Sequence, residues 1–220
     1  MSSGCWAKAI LAATMLACAM PHAAAAQDMI RFLDLKSDDF TKADMTRTEI
    51  EAALAEADPA KIVDLSARRL NGLDLSGLDL RRTRLQAARL NRANLAGANL
   101  DGVTLDQAWA LDADLSADMR NQSMGLMRGV LRSAKLDGAS FENANLSRAV
   151  LEFASLRDAN LKGAKLNGSE LGGADFLGAD VTNADFDDAD VTSTRLIGLR
   201  GRDKARNLDR VRNLDRAFSD

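Results

Sequence analysis

One regularity limits what this chain can become: from Val63 onward an apolar residue, usually leucine, returns at every fifth position. A first series of centres runs from Leu65 through Leu70 and Leu75 to Leu115. A second, displaced by one residue, runs from Leu126 through Leu131 and Leu136 to Leu196. All 26 centres are apolar, and 16 of the residues two places before a centre are alanine, as in Ala93-Asn94-Leu95 and Ala184-Asp185-Phe186. Such a spacing precesses around an α-helix and breaks the strict alternation of an ordinary strand. It suits a short extended piece followed by a turn.

If each five-residue unit forms one side of a square, the centre and the residue two before it point inward. The other three face solvent. The inner alanine must be small because four sides converge on one axis. Glycine often stands two places after the centre, at Gly97, Gly102, Gly138, Gly163, Gly168, Gly173 and Gly178. That position suits corners, where unusual dihedrals cost glycine least. Four units make a coil of twenty residues, so each centre stacks on the one twenty earlier, Leu146 under Leu166 for example.

The run Ala93-Asn94-Leu95-Ala96-Gly97-Ala98-Asn99-Leu100 resembles the pentapeptide-repeat family, whose motif is Ala, then Asp or Asn, then Leu, then two variable residues. The resemblance implies an all-β solenoid, a right-handed quadrilateral β-helix. It covers residues 63–196, with a register break near 116–125, because Leu115 to Leu126 is eleven residues where two units need ten. A one-residue bulge is the simpler reading of that break, and a projecting loop the alternative.

Open ends of a solenoid expose core and backbone edge, so caps are expected at both. In the segment 27–62, Thr46 or Thr48 can N-cap a helix over about Glu49 to Ala57, with Ile50, Ala53, Leu54 and Ala57 on one face and Pro59 beyond its end. In 197–220, Leu208, Val211, Leu214 and Phe218 predict a second amphipathic capping helix.

Residues 1–26 read as a secretory signal peptide: Lys8, an apolar run from Ala9 to Met20, then Pro21 and Ala24-Ala25-Ala26 before Gln27. Met15-Leu16-Ala17-Cys18 loosely resembles a lipobox, which makes membrane attachment through a lipidated Cys18 the alternative. Cleavage after Ala26 would remove Cys5, Cys18 and His22, leaving a chain with no Cys, His or Tyr and 28 basic against 32 acidic residues, net −4. The expected location is periplasmic or secreted.

Such a chain has no residues for a Ser-His-Asp or Cys-His arrangement or a usual zinc site, and no phosphate loop. Neither catalytic residues nor a cofactor is expected. A hydrolase is the remaining enzymatic alternative, without a residue to nominate. Asp74, Asp79, Asp175 and Asp180 stand at the motif's Asp/Asn position and are read as serving the fold.

Residues twenty apart share a face. Asp64 should meet Arg84, Arg81 meet Asp101, Lys165 meet Asp185 and Asp175 meet Arg195, each as an exposed ion pair. Arg69, Arg89 and Trp109 form a further column and are candidate partner-binding residues; outward-facing Phe153 is another. Charge is uneven: residues 170–190 carry seven carboxylates and no base, and the tail from Ile197 carries seven bases against four acids. A solvated face is the plain reading of the acidic coils, Ca²⁺ binding the other. The resemblance raises one more function, because some members imitate duplex DNA and bind DNA gyrase. That needs an anionic surface along most of the rod, and only the final coils have one. The reading that follows is an exported, non-enzymatic scaffold engaging a protein or an envelope polymer, with no nucleic-acid partner.

Overall fold

Parallel rungs tie residues one turn apart at every fifth position. Arg69 pairs with Arg89 and then Trp109, Asp74 with Asn94 and Asp114, Val130 with Val150, Glu170 and Asp190. Four columns of rungs give a coil of four sides and twenty residues. The computed structural model describes residues 34–58, 61–117 and 128–220, and Asp34–Asp220 form one unit. The predicted leader lies outside the described residues.

Each side is held by backbone alone. The N–H of a centre donates to a carbonyl in the next coil, as Leu146 does to Lys165 at 2.8 Å, and the corner N–H does the same, Arg148 to Asn167 at 2.9 Å. The centre's own carbonyl accepts from the residue three places on, Ala149 to Leu146 at 3.1 Å, which closes the turn. The second residue after the centre is left-handed whether or not it is glycine: Gly138 has φ 65°, Arg148 60°, Phe153 59° and Asp158 55°. A side chain there costs roughly 1–2 kcal/mol, so the stacking must outweigh that strain at many corners.

The Asp/Asn position has a structural task. Its side-chain oxygen accepts the backbone N–H two residues on, as in Asp74 to Ser76 (3.1 Å), Asp79 to Arg81 (3.2 Å), Asp175 to Leu177 (3.0 Å) and Asp180 to Thr182 (3.1 Å). These are Asx turns, which shape the corner without demanding catalysis. The pKa of Asp180 is lowered: its burial alone would raise it, but the Thr182 hydrogen bonds and Lys162 outweigh that.

Inward positions are dry. Leu100, Leu136, Leu146, Leu166 and their alanine companions Ala98, Ala134, Ala144 and Ala164 are buried in one cluster. Where the inner position is polar, the hydroxyl finds a backbone acceptor: Thr83 donates to the Leu80 carbonyl and Ser169 to the Leu166 carbonyl within their own turns, and Thr194 to the Leu171 carbonyl one coil away, all at 2.7 Å. The axis thus tolerates Thr and Ser because the strained corner offers them an acceptor.

Two short helices precede the first coil. Helix α1 spans Asp38–Thr41 and α2 spans Arg47–Glu56. Thr46 caps α2 in a reciprocal capping box with Glu49. Ile50 is fully buried against the coil, with Met45 and Leu54 beside it. Arg82 holds the far end of α2 by donating to the carbonyls of Leu54 (2.9 Å) and Asp58 (3.1 Å).

The other end differs from expectation. Residues 203–218 form no helix; three short 3₁₀ turns at Arg202–Lys204, Leu208–Arg210 and Leu214–Arg216 carry a last coil of longer sides. The rungs Asp180–Arg200, Asp185–Arg206 and Asp190–Arg212 are followed by the pairing of strand β1 (Arg195–Leu196) with β2 (Phe218–Ser219). Leu199, Ala205, Val211 and Ala217, six apart, turn inward, whereas Leu214 and Phe218 are exposed. The apolar residues imitate helical spacing although their true period is six, in the recurring Arg-Asn-Leu-Asp-Arg.

The register break is larger than a bulge. Asn99 pairs with Val130 and Asp114 with Asn145, a spacing of 31 where other coils have 20. Eleven extra residues therefore separate the side centred on Leu115 from that centred on Leu131. Leu126, read as a centre, lies outside the described residues. Gly129 marks the return: a Cβ there would collide with the Leu115 carbonyl, so only glycine lets the chain re-enter the coil.

Because Leu146 is buried between coils, Leu146→Ala should destabilise the fold by about 2–5 kcal/mol. Urea unfolding followed by far-ultraviolet circular dichroism would measure it, and an unchanged midpoint would contradict the stacked axis.

Candidate binding surfaces

The column Arg69, Arg89, Trp109 exists as drawn from sequence, but part of this same chain sits on it. Phe40 of α1 is buried, and its ring meets Trp109 edge-on at 5.4 Å between centroids. The Arg89 guanidinium lies 4.9 Å from the Phe40 ring centre. It also pairs with Asp39 at 2.8 Å, and Arg69 adds contacts to Asp39 at 3.5 Å and Asp44 at 3.8 Å. An antiparallel bridge between Ala43 and Leu70 fixes the segment's path, with Asn71 donating to the Asp39 and Lys42 carbonyls. Cation–π attraction and an ion pair thus act on adjacent residues, Asp39 and Phe40. Sequence reasoning placed the column correctly and overlooked its occupant. The available signal was Phe40 itself, an aromatic standing outside any repeat.

Phe153, by contrast, is open, with 68% of its surface exposed. It stands at a corner beside a groove of about 490 Å³ lined by Glu152, Glu170, Gly172, Gly173, Asp190 and Thr192 among others. Glu152 pairs with Arg132 at 2.9 Å, and Glu170 pairs with Arg128. Asp190 accepts from the Thr192 hydroxyl at 2.6 Å and from the Asn213 amide at 3.1 Å. Its pKa is lowered, for although burial opposes ionisation these hydrogen bonds and Arg212 favour it.

Of the four ion pairs read from columns, Asp64–Arg84 and Asp175–Arg195 are present, each at 3.5 Å. Arg81 turns instead to Asp79 in its own coil at 2.6 Å. Lys165 and Asp185 share a rung, and Asp185 pairs with Arg206 at 3.9 Å. The last coil sets an arginine over the acid on every side: Arg195, Arg200, Arg206 and Arg212 are the rung partners of Asp175, Asp180, Asp185 and Asp190. Arg210 adds a contact to Asp187 at 3.0 Å and Arg212 one to Asp188 at 3.2 Å. The acidic stretch is thereby neutralised from within the chain. Among the described residues no group of His, Cys, Asp and Glu could hold a metal ion.

The family model for pentapeptide repeats matches eight copies within residues 69–116 and 130–193, together just over half of the chain. The chain belongs to the pentapeptide-repeat family. HetL, a pentapeptide-repeat protein involved in heterocyst differentiation regulation from the cyanobacterium Nostoc sp. strain PCC 7120, is 32% identical with a TM-score of 0.58. The match covers 62% of this chain and 59% of HetL. The pentapeptide-repeat protein QnrB1, a plasmid-mediated fluoroquinolone resistance protein, superposes with a TM-score of 0.54 at 20% identity, over 73% of this chain and 80% of that one. The second likeness shows the β-helix fold alone. No curated protein matches the chain. The family resemblance ends before the six-residue sides of the last coil, and it does not include Asp39 and Phe40.

The Asp39 carboxyl is held below the usual carboxylate range, chiefly by its hydrogen bond from Arg89, then by the charges of Arg89 and Arg69. A folded-state pKa below the unfolded value means that this contact stabilises the segment fully above about pH 4 and is lost as pH falls through the lowered pKa. In a Trp6→Phe background, acidification below that range should shift Trp109 emission to the red, and Asp39→Asn should show the shifted spectrum already at neutral pH. Emission insensitive to both would contradict the docking.

Proposed function

We propose that this protein is an exported, non-enzymatic scaffold that binds a protein or an envelope polymer through the lateral faces of its coil. The observation that carries the reading is the closed, dry axis. Among the described residues the inner positions are filled by Leu, Ala, Val and Phe with an occasional Thr or Ser, and outward side chains stand in fixed columns. A rigid surface with strict side-chain spacing suits recognition. Export rests on the leader-like residues 1–26, with lipid anchorage through Cys18 as the alternative. Since Phe40 occupies the Trp109 column, Phe153 takes its place as the leading contact residue.

A gyrase-directed DNA mimic fits less well. Duplex charge is continuous, whereas here each side of the acidic stretch is overlaid by arginine.

Fractionating the native cells tests the reading. The chain should appear outside the cytoplasm, with an N-terminus at Gln27 or a lipidated Cys18, and should capture a partner from an envelope extract. A full-length product confined to the cytosol would overturn export, and an empty capture would overturn the scaffold role.

A further inference from the structure

Two departures from the repeat coincide at one corner. Residues 172–173 are the one Gly-Gly pair in the sequence, and Phe153, the one aromatic residue at a repeat corner, lies twenty residues earlier, directly below Gly173 in the coil. Neither glycine is demanded by the backbone. Gly172 does not have a left-handed φ, and a Cβ on it would meet the Thr192 carbonyl oxygen at 3.7 Å and Glu152 Cγ at 3.9 Å, which is ordinary contact. Gly173 does have a left-handed φ, 69°, but corners such as Arg148 and Asp158 adopt the same conformation with side chains. What a Cβ on Gly173 would strike is the Phe153 ring, 2.7 Å from Cδ1 and 2.8 Å from Cε1. Ring and bare backbone fit one another, and together they open the groove of about 490 Å³, within the size range of small-ligand sites.

The rim says what would enter. Glu152 and Glu170 already have arginine partners, and Asp190 already holds Thr192 and Asn213. A cationic ligand would therefore compete with existing pairs, and an anionic one would face three carboxylates against the single guanidinium of Arg212, which is itself paired with Asp188 at 3.2 Å. Each carboxylate still keeps lone pairs that can accept from a neutral hydroxyl. A phenyl ring beside acceptors with satisfied charge matches a pyranose of equatorial hydroxyls, which has an apolar C–H face and a rim of O–H donors.

We propose that the groove at Phe153 and Gly172–Gly173 binds a neutral, β-linked pyranose chain, with one sugar ring on Phe153 and its hydroxyls donating to Glu152, Glu170 and Asp190. The inference rests on the scaffold reading above and narrows it to a glycan polymer. The ring is exposed and the glycines lie on the surface, so binding can be altered without touching the core.

Cellohexaose and chitohexaose, titrated into the full chain and followed by calorimetry and saturation-transfer NMR, test it. At least one should bind with saturation transferred to its axial ring protons. Phe153→Ala should weaken that binding about tenfold or more, as loss of an aromatic anchor does. Gly172→Gln, which fills the groove and leaves Phe153 in place, should do the same with the melting temperature unchanged. If neither sugar binds, or if both variants bind like the parent, the inference is wrong. Should neither sugar bind while the envelope extract still yields a protein partner, the glycan inference fails alone. An empty capture as well would remove both readings.

Discussion

Everything in this molecule depends on a backbone ladder that repeats every twenty residues around an axis narrow enough to stay dry. The N–H groups of a coil donate to carbonyls in the next, and the axis between them stays filled when each level sets a large side chain at the centre and a small one two places before it. Leucine and alanine alternate along the axis for that reason. Close packing leaves no room for a compensating rearrangement, so a change at one level is felt by the levels above and below.

The corners absorb the strain that this uniformity creates. A left-handed residue at each turn would favour glycine, yet Arg, Phe, Asp and Asn hold the position at many corners. The Asx turn one step earlier, with its carboxylate or amide oxygen on the backbone N–H, preshapes the bend. Acidity in this chain is therefore largely an architectural expense. Its electrostatic cost is lowered by arginines set over the acids, most completely in the last coil. The result is a surface of closely spaced, mutually compensated charges, on which an exposed aromatic such as Phe153 stands out.

Much of this was legible before any coordinate. The five-residue period separates inner from outer positions, and the four-sided coil implied by the family resemblance then places Arg69, Arg89 and Trp109 on one column, because a solenoid turns sequence distance directly into spatial distance. The N-terminal helix was legible too, since Thr46 and Glu49 supply a local signal. Three features escaped for physical reasons. Phe40 reaches Trp109 across a non-repeating stretch, where separation along the chain says nothing about proximity. The last coil exchanges a period of five for six, and its apolar residues then imitate helical spacing. The break after Leu115 adds eleven residues, but a shift in register reveals only the remainder after division by five. The corner groove was half visible: Phe153 read as outward, while its fit to Gly173 needed the twenty-residue stack to be drawn.

The six-residue sides of the final coil have one more consequence. Rung spacing grows from 20 to 21, 22 and 23 between Asp180–Arg200 and Arg195–Phe218, so the perimeter widens as the chain ends. An unaltered solenoid terminus would be a template on which an identical rod could seat, rung on rung, into an unlimited fibre. A flared last turn still pairs with the square of fives beneath it, as the Phe186 N–H to the Arg206 carbonyl shows, but presents a wider outline on its outer side. The same few residues therefore set a different gauge for anything that would stack on this face of the coil.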